Sequence, residues 1–281
     1  MSKIRGLVSI IRPVNAIMMG FGILVGVLLS GGLNSLSSVT MLISVITGFT
    51  LTGSAMVIND YFDREIDKIN EPKRPIPSGT IKSGEAITFC GFLSLIGLGA
   101  AWLTGISTFL IALFAWFIMM LYSAWGKKTG FLGNLMVSTC ISIPFLYGGM
   151  LSGRFESTLI FSSLAFLSNT GREITKGILD VEGDSAVGVK TIAVVYGDRF
   201  AASTASFFFL LSVLLSFTPL ILNSVSIFYL PFVIVTDVGL VYSSISLLRN
   251  HDIVNARKVK TQLLYWMVFG LIAFGAGTIK P

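Results

Sequence analysis

The chain has 281 residues, 53% of them hydrophobic, with a mean hydropathy of +0.84 and a formal net charge of +6. So much apolar surface excludes a soluble globular protein, because about 20 consecutive apolar residues span a bilayer as one helix. A basic balance would suggest nucleic acid in a soluble chain, but here the placement of the charge accounts for it differently, and no nucleic-acid partner is expected.

The N-terminal segment is short and lacks a cleavable signal pattern. Arg12-Pro13-Val14-Asn15 then opens the first of nine predicted spans, at residues 16–33, 39–58, 86–103, 109–125, 132–151, 158–170, 201–222, 227–248 and 259–278. The sixth is the weakest apolar run and is expected to continue as a helix through Ile174 toward Asp180. The predicted fold is all-α: a polytopic membrane protein of nine transmembrane helices around a central cavity, forming one domain over residues 1–281. Gly31-Gly32, Gly105 and Asn223-Ser224 mark tight turns on one side. The other side carries the long connections.

Eighteen of the 20 Lys and Arg residues fall on the side of the long loops, leaving Arg154 and Lys280 opposite. The positive-inside rule makes that side cytoplasmic, with the N-terminus inside and the C-terminus outside after nine crossings.

Two acidic segments end apolar helices on this side. In the first, Asn59, Asp63 and Asp67 recur every four residues, which is one face of a helix, with Asp60 beside them. In the second, Asp180 and Asp184 are again one turn apart. Clustered carboxylates repel unless a cation lies between them. Hard oxygen ligands suit Mg²⁺, and Mg²⁺ usually accompanies phosphate. The expectation is two metal sites facing each other across a cavity mouth, with Asn59, Asp63, Asp67, Asp180 and Asp184 as ligands. Asp60, Asp63, Asp180 and Asp184 are the expected catalytic residues. The bland alternative, solvated helix ends, weakens because two such clusters share one membrane face.

The two long loops read as a degenerate repeat. When Asp63 and Asp67 are aligned with Asp180 and Asp184, Lys73 falls on Lys190. Lys73, Arg74, Lys176 and Lys190 are expected to bind a diphosphate, since Lys supplies a point charge and Arg a bidentate fork. Glu173, Lys176, Asp180 and Asp184 lie on one stripe if the sixth helix continues. Arg12, Asn15, Tyr122, Ser123, Lys127, Lys128, Arg172 and Glu173 are the expected acceptor or substrate contacts. Lys127 and Lys128 fall to the acceptor because they are apart in sequence from both acidic segments. Tyr122 reads equally well as an interfacial aromatic residue. Asp237, near the middle of the eighth span, reads either as functional or as a neutral, hydrogen-bonded acid. Cys90 and Cys140 lie inside spans and read as packing residues. His251, the single histidine, lies in a charged loop, which excludes a His-based triad or a His-ligated metal. Some of the 22 Phe residues are candidates to line a tunnel for a long hydrocarbon and to stabilise an allylic cation.

Asn59, Asp60, Asp63 and Asp67 fit the NDxxDxxxD motif of the UbiA superfamily of intramembrane prenyltransferases, and Asp180 and Asp184 fit its DxxxD motif. The whole chain resembles that family. Asn70-Glu71-Pro72-Lys73-Arg74-Pro75-Ile76-Pro77-Ser78-Gly79 is similar to two branches of it, the archaeal digeranylgeranylglyceryl phosphate synthases and the chlorophyll synthases. Arg172-Glu173-Ile174-Thr175-Lys176 resembles the archaeal branch more, although Gly177 stands where that branch usually has an acidic residue. The resemblance implies a Mg²⁺-dependent enzyme, with two ions, acting on geranylgeranyl diphosphate. The acceptor would be a lipid-soluble phosphorylated alcohol, geranylgeranylglyceryl phosphate, and the product the second ether bond of archaeal membrane lipid. Chlorophyllide or an aromatic remains an alternative acceptor. Asp60, Glu173 or the departing diphosphate would take the hydroxyl proton. From other classes, a transporter of Mg²⁺ or a phosphorylated solute, and a non-catalytic lipid-binding protein, are the competing readings. A transporter usually places such charges near the midplane.

Overall fold

The computed structural model describes residues 2–31, 36–186 and 188–279, with no strand among them. Its helices are α1 (Lys3–Ile10), α2 (Pro13–Leu29), α3 (Ser38–Phe62), α4 (Arg64–Asn70), α5 (Ser83–Thr104), α6 (Ile106–Ala124), α7 (Phe131–Leu151), α8 (Phe155–Leu179), α9 (Val181–Ala186), α10 (Ile192–Tyr196), α11 (Asp198–Leu215), α12 (Thr218–Ile221), α13 (Tyr229–Arg249) and α14 (Ile253–Gly277). The starts carry local signals. Pro13 occupies the first turn of α2, where its missing N–H costs nothing. The Ser37 hydroxyl accepts from the Thr40 N–H at the head of α3, and the Glu85 carboxylate accepts from the Lys82 N–H at the head of α5.

The all-α, polytopic class holds. The count of nine crossings is not reproduced by length and composition. Seven helices are long and apolar enough to cross a membrane, or eight if α1 and α2, bent by 43°, form one span. The remaining element is α8. The expected sixth span does extend as a helix beyond Ile174, to Leu179. Its polar residues explain its low hydropathy: several hydroxyls bond carbonyls of α8 itself, and two side chains reach α7. The Ser162 hydroxyl donates to the Ser142 carbonyl at 2.9 Å and the Asn169 amide donates to the Ser138 hydroxyl at 3.1 Å. A helix packed among protein need not be apolar all round.

The helices α2, α3, α5, α6 and α7 pack in sequence, and α7 returns to α2. The helices α8, α11, α13 and α14 close a second group, joined to the first through α7–α8 and α2–α14. Small residues set the closest approach. A Cβ on Gly26 would meet the Phe145 backbone, and one on Gly148 would meet the backbone of Ile23, Gly26 and Val27. Without a hydrophobic drive between helices inside lipid, such close packing and interhelical hydrogen bonds hold the bundle. Ser54 and Ser94 hydroxyls lie 2.6 Å apart, Trp116 Nε1 donates to Ser94 at 2.9 Å, and Thr104 meets the Tyr147 hydroxyl at 2.8 Å. Large apolar side chains such as Leu95, Leu103, Phe114, Phe117 and Phe207 point outward, as lipid-facing positions should.

The turns at Gly31, Gly105 and Asn223 adopt positive φ of 71°, 137° and 51°, as their residue types allow. The remainder of the first expected turn, Gly32, and the ends of the first span at Leu33 and of the charge tally at Lys280 lie outside the described residues. A cavity of about 40 Å³ lies inside the first group of helices, bounded by Met19, Leu51, Met119, Pro144 and Tyr147 among others. Methionine, aliphatic and small residues line it together with Tyr147.

Candidate active site

The first acidic segment forms at the junction of α3 and α4. Asp63 ends one helix and precedes the next, with φ −82° and ψ −4°. The four-residue hydrogen-bond register continues across it: Asp63 N–H to Asn59 O at 2.9 Å, Asp67 N–H to Asp63 O at 2.8 Å and Glu71 N–H to Asp67 O at 2.9 Å. The shared face read from the spacing is therefore present, and Asn59 Nδ2 donates to Asp63 Oδ2 at 3.0 Å.

These aspartates are 2%, 8% and 5% exposed at Asp60, Asp63 and Asp67. Buried charge needs a partner, and each has one. Arg12 Nη2 reaches Asp60 Oδ1 at 2.6 Å, with Arg74 Nη1 at 3.6 Å. Arg74 Nη1 reaches Asp67 Oδ2 at 2.6 Å, and Lys127 Nζ reaches Asp63 Oδ2 at 2.6 Å. Arg12 thus finds the partner that an arginine entering a bilayer requires. It sits in the left-handed region, φ 48°, at the bend between α1 and α2.

The second segment repeats the plan. Helix α8 ends at Leu179, Asp180 caps it, and α9 begins at once, with Asp184 N–H bonded to Asp180 O at 2.7 Å. The parallel with Asp63, α4 and Asp67 supports the degenerate repeat. One expectation is corrected: the stripe from Glu173 to Asp184 is not one helix. It holds for Glu173 and Lys176, 3.7 Å apart, and breaks at Asp180, whose φ of −103° and ψ of 8° turn the chain. Glu173 also takes Arg172 Nη1 at 3.0 Å.

Lys127 departs most from its expected place. Sequence distance separates it from the acidic residues, yet it binds Asp63 and its charge also reaches Asp184. The loop that carries it is locked onto the loop after α9. Lys190 N–H bonds Lys128 O at 3.4 Å, and Gly130, at φ 64°, leaves no room for a Cβ against the Lys190 backbone. That turn glycine is the one signal of this contact in the sequence. Burial pushes the Asp184 carboxyl above its ordinary range, and Asp180 beside it adds to the effect against Lys176 and Lys127.

Other expected contacts fall differently. Tyr122 is half-buried and lies within reach of the charges of Asp63, Glu173 and Asp184. The Ser123 hydroxyl donates to the Met119 carbonyl of its own helix at 3.0 Å, which leaves its oxygen able to accept. Asn15, Lys73, Lys128 and Lys190 are exposed. Asp237 is buried in α13 and accepts from the Ser216 hydroxyl at 2.7 Å. A wide groove of about 680 Å³ along α1 and α5 contains Lys3, Glu85 and Phe92 but no residue of either acidic segment, so its size does not make it the site.

Among the described residues no three His, Cys, Asp or Glu side chains gather closely enough to hold one metal ion. The donor set still fits Mg²⁺. That ion is commonly bound by only one or two carboxylates, with waters and substrate phosphates completing its shell. Asp63, Asp67, Asp180 and Asp184 offer hard oxygens of that kind beside cations suited to phosphate.

The UbiA prenyltransferase family matches residues 19–272. Digeranylgeranylglyceryl phosphate synthase of Methanothermobacter thermautotrophicus is 34% identical over 276 residues, covering 96% of this chain and 95% of that protein. The enzyme of the same name from Thermococcus gammatolerans is 36% identical over 277 residues, covering 97% of this chain and 98% of the relative. A solved structure concerned with digeranylgeranylglyceryl phosphate synthase superposes with a TM-score of 0.90 at 33% identity, over the whole of both chains. A UbiA homologue from Archaeoglobus fulgidus bound to GPP and Mg²⁺ shares the fold, with a TM-score of 0.70 at 17% identity, covering 96% of this chain and 99% of that one.

Proposed function

Because the chain belongs to the UbiA prenyltransferase family, as a multi-pass membrane enzyme that transfers prenyl groups, we propose that its donor is geranylgeranyl diphosphate and its acceptor geranylgeranylglyceryl phosphate. The product is the second ether bond of an archaeal membrane lipid. The observation that carries this reading is the convergence of Arg12, Arg74 and Lys127 on the first acidic segment, with the charge of Lys127 also reaching Asp184 of the second.

Asn59, Asp63 and Asp67 would hold one Mg²⁺ and Asp180 and Asp184 the other. Bound there, the ions would neutralise the diphosphate as it takes up charge on leaving. Arg74, Lys127, Lys73, Lys176 and Lys190 bind its oxygens, so Lys127 moves from the acceptor side to the donor side. The allylic C–O bond to the diphosphate breaks, and the acceptor hydroxyl oxygen forms the new ether bond. Asp60 already accepts from Arg12 with Arg74 paired at 3.6 Å, and Glu173 accepts from Arg172 with Lys176 paired at 3.7 Å. The hydroxyl proton therefore passes to the departing diphosphate. Lys128 and Arg172 remain for the acceptor phosphate. The loops that bear these residues face the cytoplasm.

The test is purified protein with labelled geranylgeranyl diphosphate and a panel of acceptors. Prenylation of the glycerol phosphate with release of diphosphate is expected. Efficient use of an uncharged aromatic or a chlorophyllide, and none of the glycerol phosphate, would overturn the acceptor.

A further inference from the structure

The two acidic segments meet their charge in different ways. Asp60, Asp63 and Asp67 are buried, and each is held by a cation from elsewhere in the chain or the following loop. Among the described residues, Asp180 and Asp184 form no ion pair, although they stand at the equivalent junction. At Asp63 a single oxygen, Oδ2, accepts from both Lys127 Nζ at 2.6 Å and Asn59 Nδ2 at 3.0 Å. A divalent cation approaching this carboxylate, at Oδ2 or at Oδ1, unpartnered among the described residues, meets an ammonium of the same sign already bound 2.6 Å from Oδ2.

Resting on the prenyl diphosphate reading above, we propose that Lys127 gates the first acidic segment: it keeps Asp63 from binding a divalent cation until a diphosphate offers the lysine another anionic partner. Arg74 plays the same part at Asp67. Asp63 is the buried member of the pair, and taking its cation away is costly when nothing replaces it, because a buried charge is left uncompensated. A diphosphate replaces it. Its oxygens accept a charge-assisted hydrogen bond from the displaced Lys127 and also complete the shell of the arriving metal. Metal and diphosphate then bind this segment with positive coupling, and the coupling is reciprocal. Lys127 is placed for the role, because its charge reaches Asp184 as well, on the side from which a diphosphate spanning the two segments would come. The three aspartates of the α3–α4 junction are thus balanced by Arg12, Arg74 and Lys127, and they become a metal site only as substrate arrives.

The test is protein-bound Mn²⁺, followed by electron paramagnetic resonance on the full chain in detergent. It is run with and without inorganic pyrophosphate and corrected for the soluble Mn²⁺–pyrophosphate complex. In the wild type, pyrophosphate should tighten one Mn²⁺ site at least tenfold. Lys127→Met keeps the stem and removes the ammonium, so Mn²⁺ without pyrophosphate should bind at least tenfold more tightly. Asp63→Asn in that background should abolish the gain, which locates it. Lys127→Arg should restore the wild-type pattern. Equal Mn²⁺ affinity with and without pyrophosphate in the wild type, or no gain in Lys127→Met, overturns the gate and leaves the prenyl diphosphate reading standing. No protein-bound Mn²⁺ under any condition overturns both. If Lys127→Met does not fold, Arg74→Gln carries the same comparison at Asp67.

Discussion

Asp63 sits where a helix ends, accepts two hydrogen bonds on one oxygen and is nearly shielded from water. Its equivalent, Asp180, is exposed and caps a second helix. On the proposed function both serve the same leaving group, so Asp63→Ala and Asp180→Ala should each remove more than nine-tenths of turnover, a barrier rise above about 1.4 kcal/mol. EDTA should silence the wild type. Turnover that survives chelation, or a mutant that keeps a larger share of the rate, would remove that residue from the metal set. Asp184 adds a pH signature. Its proton affinity is raised by burial, then by Asp180. A metal needs the charged form, so affinity is full well above the raised value and falls as pH drops through it. This occurs at higher pH than for a solvated aspartate. Without metal the sign reverses: the charged form costs stability above that pH, and the cost is relieved as pH falls. Mn²⁺ affinity measured against pH checks this, and Asp184→Asn should abolish the displaced step. Lys128, exposed beside Lys127, is left for the acceptor. Lys128→Ala should raise the acceptor KM by about 1.5–3 kcal/mol and spare kcat. An equal loss for the donor would undo that division.

Among the elements, α2 and α7 cross with backbone nearly touching backbone at Gly26 and Gly148. Gly148→Ala forces a methyl against Ile23, Gly26 and Val27, none of which is the far end of a flexible side chain. About 1–3 kcal/mol of stability should be lost, visible as a lower thermal midpoint in detergent. An unchanged midpoint would mean that the crossing yields without strain. The face shared by Asn59, Asp63 and Asp67 is legible in their spacing because the backbone bonds run unbroken through the α3–α4 junction. The break at Asp180 is not, because no Pro or Gly stands there and the helix end depends on tertiary packing. The Lys127–Asp63 pair is also hidden. It joins residues 64 apart in the chain, and sequence distance carries no information about it.

For the molecule as a whole, the polytopic class and the family are legible in composition and two motifs. The number of crossings is not, because it turns on α8. Helix α8 runs beside α7 from the outer turn to the acidic loops. Thr158 packs against Gly149 near its start, and Lys176 lies near its end. If α8 crosses as its neighbours do, the eighteen Lys and Arg residues of the long-loop side share one face of the membrane. A reporter fused after the last helix should then register outside and one fused before α1 inside. A C-terminal reporter on the cytoplasmic side would remove one crossing from the bundle.

The polarity of α8 bears on how the chain enters the bilayer as it is made. A helix carrying Glu156, Asn169, Arg172, Glu173 and Lys176 gains little from lipid alone, and its Ser162 and Asn169 find their partners on α7. Helix α7 must already be in place when α8 emerges, and α11 must come next to cover its other side. The second half of the protein therefore depends on the first for its orientation. Were α8 to stay on the side of Arg154 without crossing, every helix after it would be threaded in the opposite sense, and Asp180 and Asp184 would end on the other side of the membrane from Asp63.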